Sequence, residues 1–273
     1  MLKPILTIAG SDCSGGAGIQ ADLKTITALG AYGMSAVTAI TAQNTQTISE
    51  IMEIPAKTLK NQLTTIISDI YPSAVKIGMI CSLEQVQVIA DILNNLECPI
   101  VLDPVIKATN NSAVLSKQLA VRASSELLFH LADVITPNIP EAEFFTEQKI
   151  KSIEDMEQAA EKLSKKYNTS ILLKGGHLFE CATDVLYDKN GNIKHFESRW
   201  IRNKNSHGSG CTLSSAIAVF LAEGFSLDES IHKAKKYITY AFFEKLSIGH
   251  GIGPLCHNYY IDERLLNEKI LKL

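Results

Sequence analysis

The sequence predicts an α/β protein with a doubly wound, mostly parallel central sheet, helices on both faces and one antiparallel hairpin at an edge of the sheet. Short apolar runs rich in β-branched residues alternate along the chain with longer segments whose apolar residues recur at helical spacing. The short runs are apolar almost throughout, as in parallel strands that are covered on both faces. Repeated alternation of such strands and helices is typical of doubly wound sheets.

Six short runs are predicted as the parallel strands. They cover residues 5–9, 35–39, 74–77, 100–102, 134–136 and 170–173. The segments between them are predicted helices, because apolar residues return every three or four positions. The clearest examples are Leu59, Leu63, Ile66, Ile67 and Ile70 in one segment and Ile153, Met156, Ala160 and Leu163 in another.

A different pattern follows Gly175-Gly176. Residues 185–187 and 193–196 are apolar-rich runs that flank Asp-Lys-Asn-Gly at 188–191. Because Asn-Gly accommodates the positive φ angles of a tight turn, we expect an antiparallel hairpin here, at one edge of the sheet.

The composition is that of an ordinary globular protein, with 46% hydrophobic and 20% charged residues in a chain of 273. No linker-like stretch divides it, so we expect a single domain over 1–273. The net charge is −3 and no basic stripe occurs, which argues against a nucleic-acid partner. No signal peptide or membrane-length apolar run is evident. Six cysteines without a Cys-x-x-Cys pair fit reduced thiols, and we expect a cytoplasmic protein.

Two helices are predicted after the hairpin, at about residues 209–223 and 227–245. The first is apolar nearly throughout, which indicates a buried helix, and it begins within His207-Gly208-Ser209-Gly210-Cys211. Backbone N–H groups at such a helix start are free to bind an anion. In phosphoryl transfer, preorganised donors of this kind stabilise the charge that builds on the transferred group. The alternative is a glycine-rich turn that lets the helix pack closely.

Two side chains favour the anion site over the plain turn. Cys211 would occupy the first turn of the helix, where the macrodipole and the free N–H groups are expected to lower the pKa of its thiol. Its thiolate could then accept the proton of a substrate hydroxyl. Lys174 ends a strand and could neutralise a nucleotide phosphate. A lysine in that position is, however, more often solvated.

Further polar residues follow strands at the carboxyl edge of the predicted sheet, where open parallel sheets bind ligands. Asn138 and Glu141 lie three residues apart, and a carboxylate there could hold Mg²⁺ directly or through water. The alternative is a helix cap, since asparagine favours the N-cap position and glutamate the first turn. Asp103 could help to position the metal or could simply form a turn.

The glycine-rich loop at 10–18 lacks the Gly-Lys-Ser/Thr ending of a Walker A motif and does not match Gly-x-Gly-x-x-Gly, so neither kind of nucleotide loop is predicted. Asp22 follows in a predicted helix at 19–29 and could face a pocket or solvent. Gln43 ends a strand. Its amide offers a donor and an acceptor that suit the edge of an aminopyrimidine, and an ordinary loop glutamine is the alternative.

Eight segments share a pattern that extends over almost the whole chain. They are residues 6–12, 14–25, 41–45 (Thr41-Ala42-Gln43-Asn44-Thr45), 76–79 (Lys76-Ile77-Gly78-Met79), 136–138, 173–177, 207–212 and 249–254. In this order they resemble the bifunctional hydroxymethylpyrimidine/phosphomethylpyrimidine kinase family of thiamine biosynthesis, within the ribokinase-like superfamily. The resemblance implies phosphorylation of 4-amino-5-hydroxymethyl-2-methylpyrimidine and then of its monophosphate, with ATP and Mg²⁺.

The resemblance also implies roles for individual residues. Gln43 would bind the aminopyrimidine ring. The rest of that pocket would be formed by Gly10, Ala17, Asp22, Met79 and Val105. The anion hole would be formed by Gly208, Ser209, Gly210 and Cys211, the last standing where related sugar kinases carry a catalytic aspartate. ATP would be bound by Lys174 and Asn138, and Mg²⁺ by Glu141 and Asp103.

The sequence departs from the family pattern after Val105. Thr109 stands where the family has a loop lysine that approaches the phosphates, and Lys107 could substitute from two residues upstream. The departure concerns the efficiency of the second phosphorylation, and we expect the first phosphorylation to be retained.

Two other functions stay open, and so does the assembly. One is a pyridoxal kinase of the same superfamily. The other is a non-catalytic pyrimidine-binding protein, against which the presence of Cys211, Lys174 and Glu141 argues. By resemblance we expect a homodimer, in which residues 50–54 form a strand that covers the pocket or contributes an edge to the dimer.

Overall fold

The computed structural model describes residues 2–106, 118–176, 183–197, 201, 203 and 205–259. Nine strands in this part form one sheet. They are β1 (Pro4–Asp12), β2 (Tyr32–Gln43), β3 (Ile48–Glu53), β4 (Ala74–Ile77), β5 (Ile100–Leu102), β6 (Val134–Ile135), β7 (Ser170–Leu173), β8 (Asp184–Tyr187) and β9 (Ile193–Phe196). The α-helices are α1 (Gly18–Ala28), α2 (Ala56–Asp69), α3 (Leu83–Leu93), α4 (Gln118–Leu127), α5 (Ile139–Thr146), α6 (Ile153–Tyr167), α7 (Ser209–Ala222) and α8 (Leu227–Phe243).

The strands lie in the order β3-β2-β1-β4-β5-β6-β7-β8-β9. The six strands from β2 to β7 in that order pair in parallel, while β3 is antiparallel to β2. At the other edge β8 and β9 form the predicted antiparallel hairpin. The predicted fold class is therefore confirmed, and the segment predicted at 50–54 is the second antiparallel edge.

Helices cover both faces of the sheet. Side chains of successive strand residues point to opposite faces, so a single strand contributes to the cores on both sides. On β1, Leu6 and Ile8 belong to a core that is completed by α2 to α6, whereas Ile5 belongs to a second core with α1, α7 and α8. Within the described residues, no helix is both long enough and apolar enough to span a membrane.

Two features of this architecture position the candidate site. Strand β2 is longer than predicted and ends at Gln43, so the side chain of that residue lies at the carboxyl edge of the sheet. Helix α7 begins at Ser209, as predicted, and residues 216–219 are fully buried. The predictions for Lys107 and Thr109 fall on residues outside those that the structure describes.

Candidate active site

The amino terminus of α7 lies against the loop that follows β1. Gly208 is the N-cap residue of α7 and has a φ of 81°, in the left-handed region that favours glycine. A side chain at this position would collide with the carbonyl oxygen of Gly16. The start of α7 is thereby held close to the loop 13–17. The N–H of Ser209 is not free to bind an anion, because it donates to the carbonyl oxygen of Ser206 at 3.2 Å.

Lys174 and Asp103 form an ion pair beside the start of α7. The Nζ atom of Lys174 lies 2.7 Å from Oδ1 of Asp103, which also accepts a hydrogen bond of 3.0 Å from Thr136. A methyl group on Gly210 would lie 3.0 Å from Oδ2 of Asp103 and 3.2 Å from the Lys174 ammonium. The fold therefore brings Lys174, Asp103 and the helix start that was predicted to form the anion hole together.

The side chain of Lys174 is 16% exposed, so it is not the solvated strand-end lysine of the alternative. Burial by itself would lower the pKa of this ammonium. Asp103 and Glu141 outweigh that effect and hold the pKa above its ordinary value. Lys174 is therefore a permanent positive charge at the edge of the predicted anion hole.

Asn138 and Glu141 form a capping box at the start of α5. The Asn138 side chain accepts a hydrogen bond of 2.9 Å from the Glu141 N–H, and the Glu141 carboxylate accepts one of 2.8 Å from the Asn138 N–H. The capping alternative is thus confirmed. Burial, with a further contribution from Asp103, raises the pKa of Glu141 to about 7, although Lys174 acts in the opposite direction.

The carboxylates of Asp103 and Glu141 both interact with Lys174. Among the residues that the structure describes, no three His, Cys, Asp or Glu side chains form a group that could hold a metal ion. Mg²⁺ needs fewer protein ligands than this, because it usually keeps several waters and binds one or two carboxylates together with substrate phosphates. The two carboxylates fit that requirement.

Cys211 lies half-buried in the first turn of α7, but the expected lowering of its pKa is wrong. Burial raises the pKa of the thiol to about 11, and the Lys76 ammonium and the Gly18 N–H offset burial only in part. The helix terminus favours the thiolate, but the loss of solvent around the sulfur outweighs it. At pH 7 the thiol of the free protein is neutral.

The loop 10–18 is organised around the buried carboxylate of Asp12. This carboxylate accepts hydrogen bonds from the backbone N–H groups of Ser14, Gly16 and Ala17 and from the Ser14 hydroxyl. It also lies 2.8 Å from Nε2 of His207. Burial tends to raise the pKa of Asp12, but the bonds from His207 and Ser14 outweigh it and leave the pKa below its ordinary value. Asp12 thus ties the β1 loop to the start of α7.

Gln43 lies next to that pair and is half-buried. One end of its amide is 3.2 Å from Nε2 of His207, and the other is 3.2 Å from the Thr41 hydroxyl. The residue that was predicted to read a pyrimidine edge is therefore in contact with the segment predicted to hold the transferred phosphoryl group.

Asp22 faces neither solvent nor an open pocket. Its carboxylate is fully buried and lies 2.9 Å from the ammonium of Lys76, also fully buried. Thr7 and Ser215 donate further hydrogen bonds of 2.6 and 2.8 Å to it. The acceptors of Asp22 are thus used inside the protein, which does not support direct contact with a substrate. Both of the orientations expected from the sequence are corrected, because the sequence did not reveal the partner Lys76.

The remaining residues of the predicted pocket lie in two places. Gly10 packs on Met79, since a methyl group on Gly10 would be 3.1 Å from the Met79 sulfur, and Ala17 lies beside Gly208. Val105 instead lines a cavity of about 20 Å³ with Asp103, which has room for roughly one water molecule.

Sequence reasoning gave no role to Asp12, His207 or Lys76 as individual side chains. A signal was available for Lys76, because a lysine inside the apolar strand β4 requires a buried partner. Asp12 and His207 lie 195 positions apart, and no local pattern predicts that they meet.

Replacement of Gly210 by alanine tests the anion hole. The added methyl group would press against the Lys174–Asp103 pair, and a displacement of this size is expected to lower kcat by about 10- to 100-fold. Position 210 has no positive φ, so the variant should fold. Steady-state kinetics beside thermal unfolding would check this. An unchanged kcat in a folded variant would contradict a site at this helix start.

Comparison with known proteins agrees with the family resemblance of the sequence. The model of the phosphomethylpyrimidine kinase family matches residues 12–256. The chain is 41% identical over 264 residues to the hydroxymethylpyrimidine/phosphomethylpyrimidine kinase of Haemophilus influenzae, covering 95% of this chain and 98% of that protein. It is 45% identical over 255 residues to the thiamine biosynthesis bifunctional protein ThiED of Geobacter sulfurreducens, covering 93% of this chain and 52% of the longer protein.

Among solved structures, the pyridoxal kinase of Staphylococcus aureus in complex with AMP-PCP and pyridoxal is similar, with a TM-score of 0.86 and 33% identity. The match covers 95% of each chain.

Proposed function

Because the chain belongs to the phosphomethylpyrimidine kinase family, we propose that it transfers the γ-phosphoryl group of ATP to 4-amino-5-hydroxymethyl-2-methylpyrimidine and then to the monophosphate, in thiamine biosynthesis. The observation that carries this proposal is the convergence of three groups at one sheet edge. They are the amino terminus of α7, the Lys174–Asp103 pair and the amide of Gln43.

The roles of these groups follow from their chemistry. Gln43 would hold the aminopyrimidine edge, so that the hydroxymethyl group points to the start of α7. The N–H groups of Gly208, Gly210 and Cys211 would stabilise charge on the transferred phosphoryl group, and Lys174 would neutralise ATP phosphates as a point charge. The thiolate form of Cys211 would accept the proton of the attacking hydroxyl and become the thiol. Asn138, which caps α5, would contribute to binding of the ATP phosphates.

Mg²⁺ would be held by Asp103 and Glu141, in part through water, and would supply charge neutralisation at the phosphate oxygens of bound ATP. The position of these two carboxylates beside Lys174, in a mostly buried setting, supports this part of the proposal.

An assay of ADP release tests the proposal. We expect turnover with hydroxymethylpyrimidine and with its monophosphate when ATP and Mg²⁺ are present. A purified, folded protein that releases no ADP with either substrate would refute it. Turnover with the first substrate alone would confine the proposal to the first step, in line with Thr109 at the loop lysine position.

The pyridoxal kinase alternative has its own support, which is the structural similarity to the Staphylococcus aureus enzyme over 95% of the chain. Pyridoxal also carries a hydroxymethyl group on a six-membered heterocycle. Comparison of kcat/KM for the two heterocycles decides between the two functions, and we expect the pyrimidine to be preferred.

Replacement of Glu141 by glutamine separates its capping role from a role in Mg²⁺ binding. Glutamine can still accept the hydrogen bond from the Asn138 N–H, so the cap should persist and the unfolding midpoint should barely change. Loss of the carboxylate is expected to raise the Mg²⁺ concentration for half-maximal rate by about tenfold.

Glu229 provides a matched control, because it caps α8 in a capping box with Ser226. Glu229→Gln should leave the Mg²⁺ dependence unchanged. If Glu141→Gln behaves in the same way, Glu141 is a cap and not part of the metal site.

We further propose that residues 1–273 act as one kinase domain and that two copies form a homodimer. The unbroken nine-stranded sheet supports the first statement. The second is supported by the edge strand β3 and the exposed side chains of Ile40 and Met52, which are 44% and 50% exposed. Sedimentation equilibrium would test it, and a monomer at micromolar concentration would contradict it.

A further inference from the structure

The amide of Gln43 is held between two partners whose hydrogen-bonding roles can be assigned. His207 and Asp12 are buried, with 7% and 3% exposure, and their Nε2 and Oδ2 atoms lie 2.8 Å apart. The same Nε2 atom lies 3.2 Å from the Gln43 amide. The hydroxyl of Thr41 contacts the opposite end of the amide.

The hydrogen of His207 can be placed from its contact with Asp12. The pKa of Asp12 is below its ordinary value, and its carboxylate already accepts hydrogen bonds from backbone N–H groups and a hydroxyl, so it acts only as an acceptor. Nε2 of His207 therefore carries a hydrogen. A nitrogen in that state cannot accept a hydrogen bond from the NH₂ group of Gln43.

The hydroxyl of Thr41 leads to the same result from the other side. It donates its single hydrogen to the carbonyl oxygen of Ser11, at 3.0 Å, and so has none left for the oxygen of the Gln43 amide. Both conflicts disappear when the amide is turned by half a turn about its last torsion. Its oxygen then shares the single Nε2 hydrogen of His207 with Asp12, in a three-centre hydrogen bond, and its NH₂ group donates to Thr41. Amide oxygen and nitrogen have nearly the same size, so packing does not oppose this assignment.

We propose that His207 and Thr41 lock the Gln43 amide in this one orientation and that both residues thereby determine substrate specificity. The inference rests on the proposed function and deepens it. Gln43 is half-buried, and its remaining edge offers a carbonyl lone pair beside an N–H. This edge matches a ring nitrogen next to an exocyclic amino group, as in a 4-aminopyrimidine.

The lock matters because the 4-oxo counterpart of the same pyrimidine presents the opposite pattern, with a ring N–H beside a carbonyl oxygen. A glutamine amide that is free to turn accepts either pattern. A locked amide meets the oxo compound with two donors facing each other and two acceptors facing each other. His207 and Thr41 therefore act as positioning residues that exclude the oxo compound without touching it.

The test compares the dissociation constants of the amino and 4-oxo pyrimidines by isothermal titration calorimetry on the full chain. We expect the wild type to prefer the amino compound by about 10²-fold or more, since unpaired polar groups are costly in such sites. The variants His207→Phe and Thr41→Val each remove one partner, and the preference should fall about tenfold or more. Thr41→Ser keeps the hydroxyl and should keep the preference.

A merely structural role would weaken both ligands together and leave the ratio unchanged, and that result in Thr41→Val would overturn the proposal even if His207→Phe fails to fold. A wild type that binds both compounds equally, or neither, would also overturn it. Failure of the proposed kinase function has a different signature, which is a wild type that discriminates between the two ligands but releases no ADP.

Discussion

Replacement of Cys211 by alanine is expected to lower kcat by about 10²- to 10⁴-fold, the range over which a positioned general base contributes. The affinity for the pyrimidine should change little, because the amide of Gln43 contacts the side chains of Thr41 and His207 and not that of Cys211. Steady-state kinetics and calorimetry on the same preparation would measure both. An unchanged kcat would refute the role of Cys211 as the proton acceptor.

Cys98 is the matched control for this experiment. Burial raises the pKa of its thiol to about 11 as well. Cys98 packs beside the core two residues before β5, at the amino ends of the parallel strands and not at their carboxyl ends. Cys98→Ala should leave kcat unchanged. An equal loss in both variants would point to a general effect of cysteine removal on the fold.

The pH profile of kcat/KM tests the same role by a different route. A general base acts in its deprotonated form, and with a pKa of about 11 the thiolate fraction rises tenfold for each pH unit below that value. We expect log kcat/KM to rise with a slope near one between about pH 7 and pH 10 in the wild type. The slope should be absent in Cys211→Ala. A wild-type plateau that begins near neutral pH would contradict the assignment.

Replacement of Lys76 by methionine is expected to lower the free energy of unfolding by about 3–5 kcal/mol, because it leaves a buried carboxylate without its counter-charge. Asp22 and Lys76 are both fully buried, and the pair joins α1 to β4 beneath the start of α7. Methionine is similar in length, so a cavity is a minor part of the effect. Urea unfolding followed by circular dichroism would measure the loss.

The double variant Lys76→Met/Asp22→Asn separates charge from packing. Asparagine keeps an acceptor for Thr7 and Ser215 but carries no charge, so most of the stability should return. Lys165→Met, in the exposed helical pair with Glu161, should have no measurable effect. If Lys76→Met were as mild as Lys165→Met, the buried pair would not contribute as argued.

Local features of the sequence predicted much of the fold. The strands β4, β5 and β7 have the predicted bounds, and α7 begins at Ser209 as expected. These predictions succeed because apolar runs and glycines act over a few residues. The capping box at Asn138 was also foreseen as an alternative, since both of its partners lie within four positions.

The sequence by itself determined the α/β class, the succession of strands and helices along the chain and the glycine-rich start of α7. Each of these follows from residues that are close together in the sequence. Only the tertiary structure decided that Asp22 pairs with Lys76, 54 positions away, and Asp12 with His207, 195 positions away. The tertiary structure also decided the pKa of Cys211, through burial of its thiol. Burial and pairing depend on which distant segments exclude water from a site, and no local spacing encodes that.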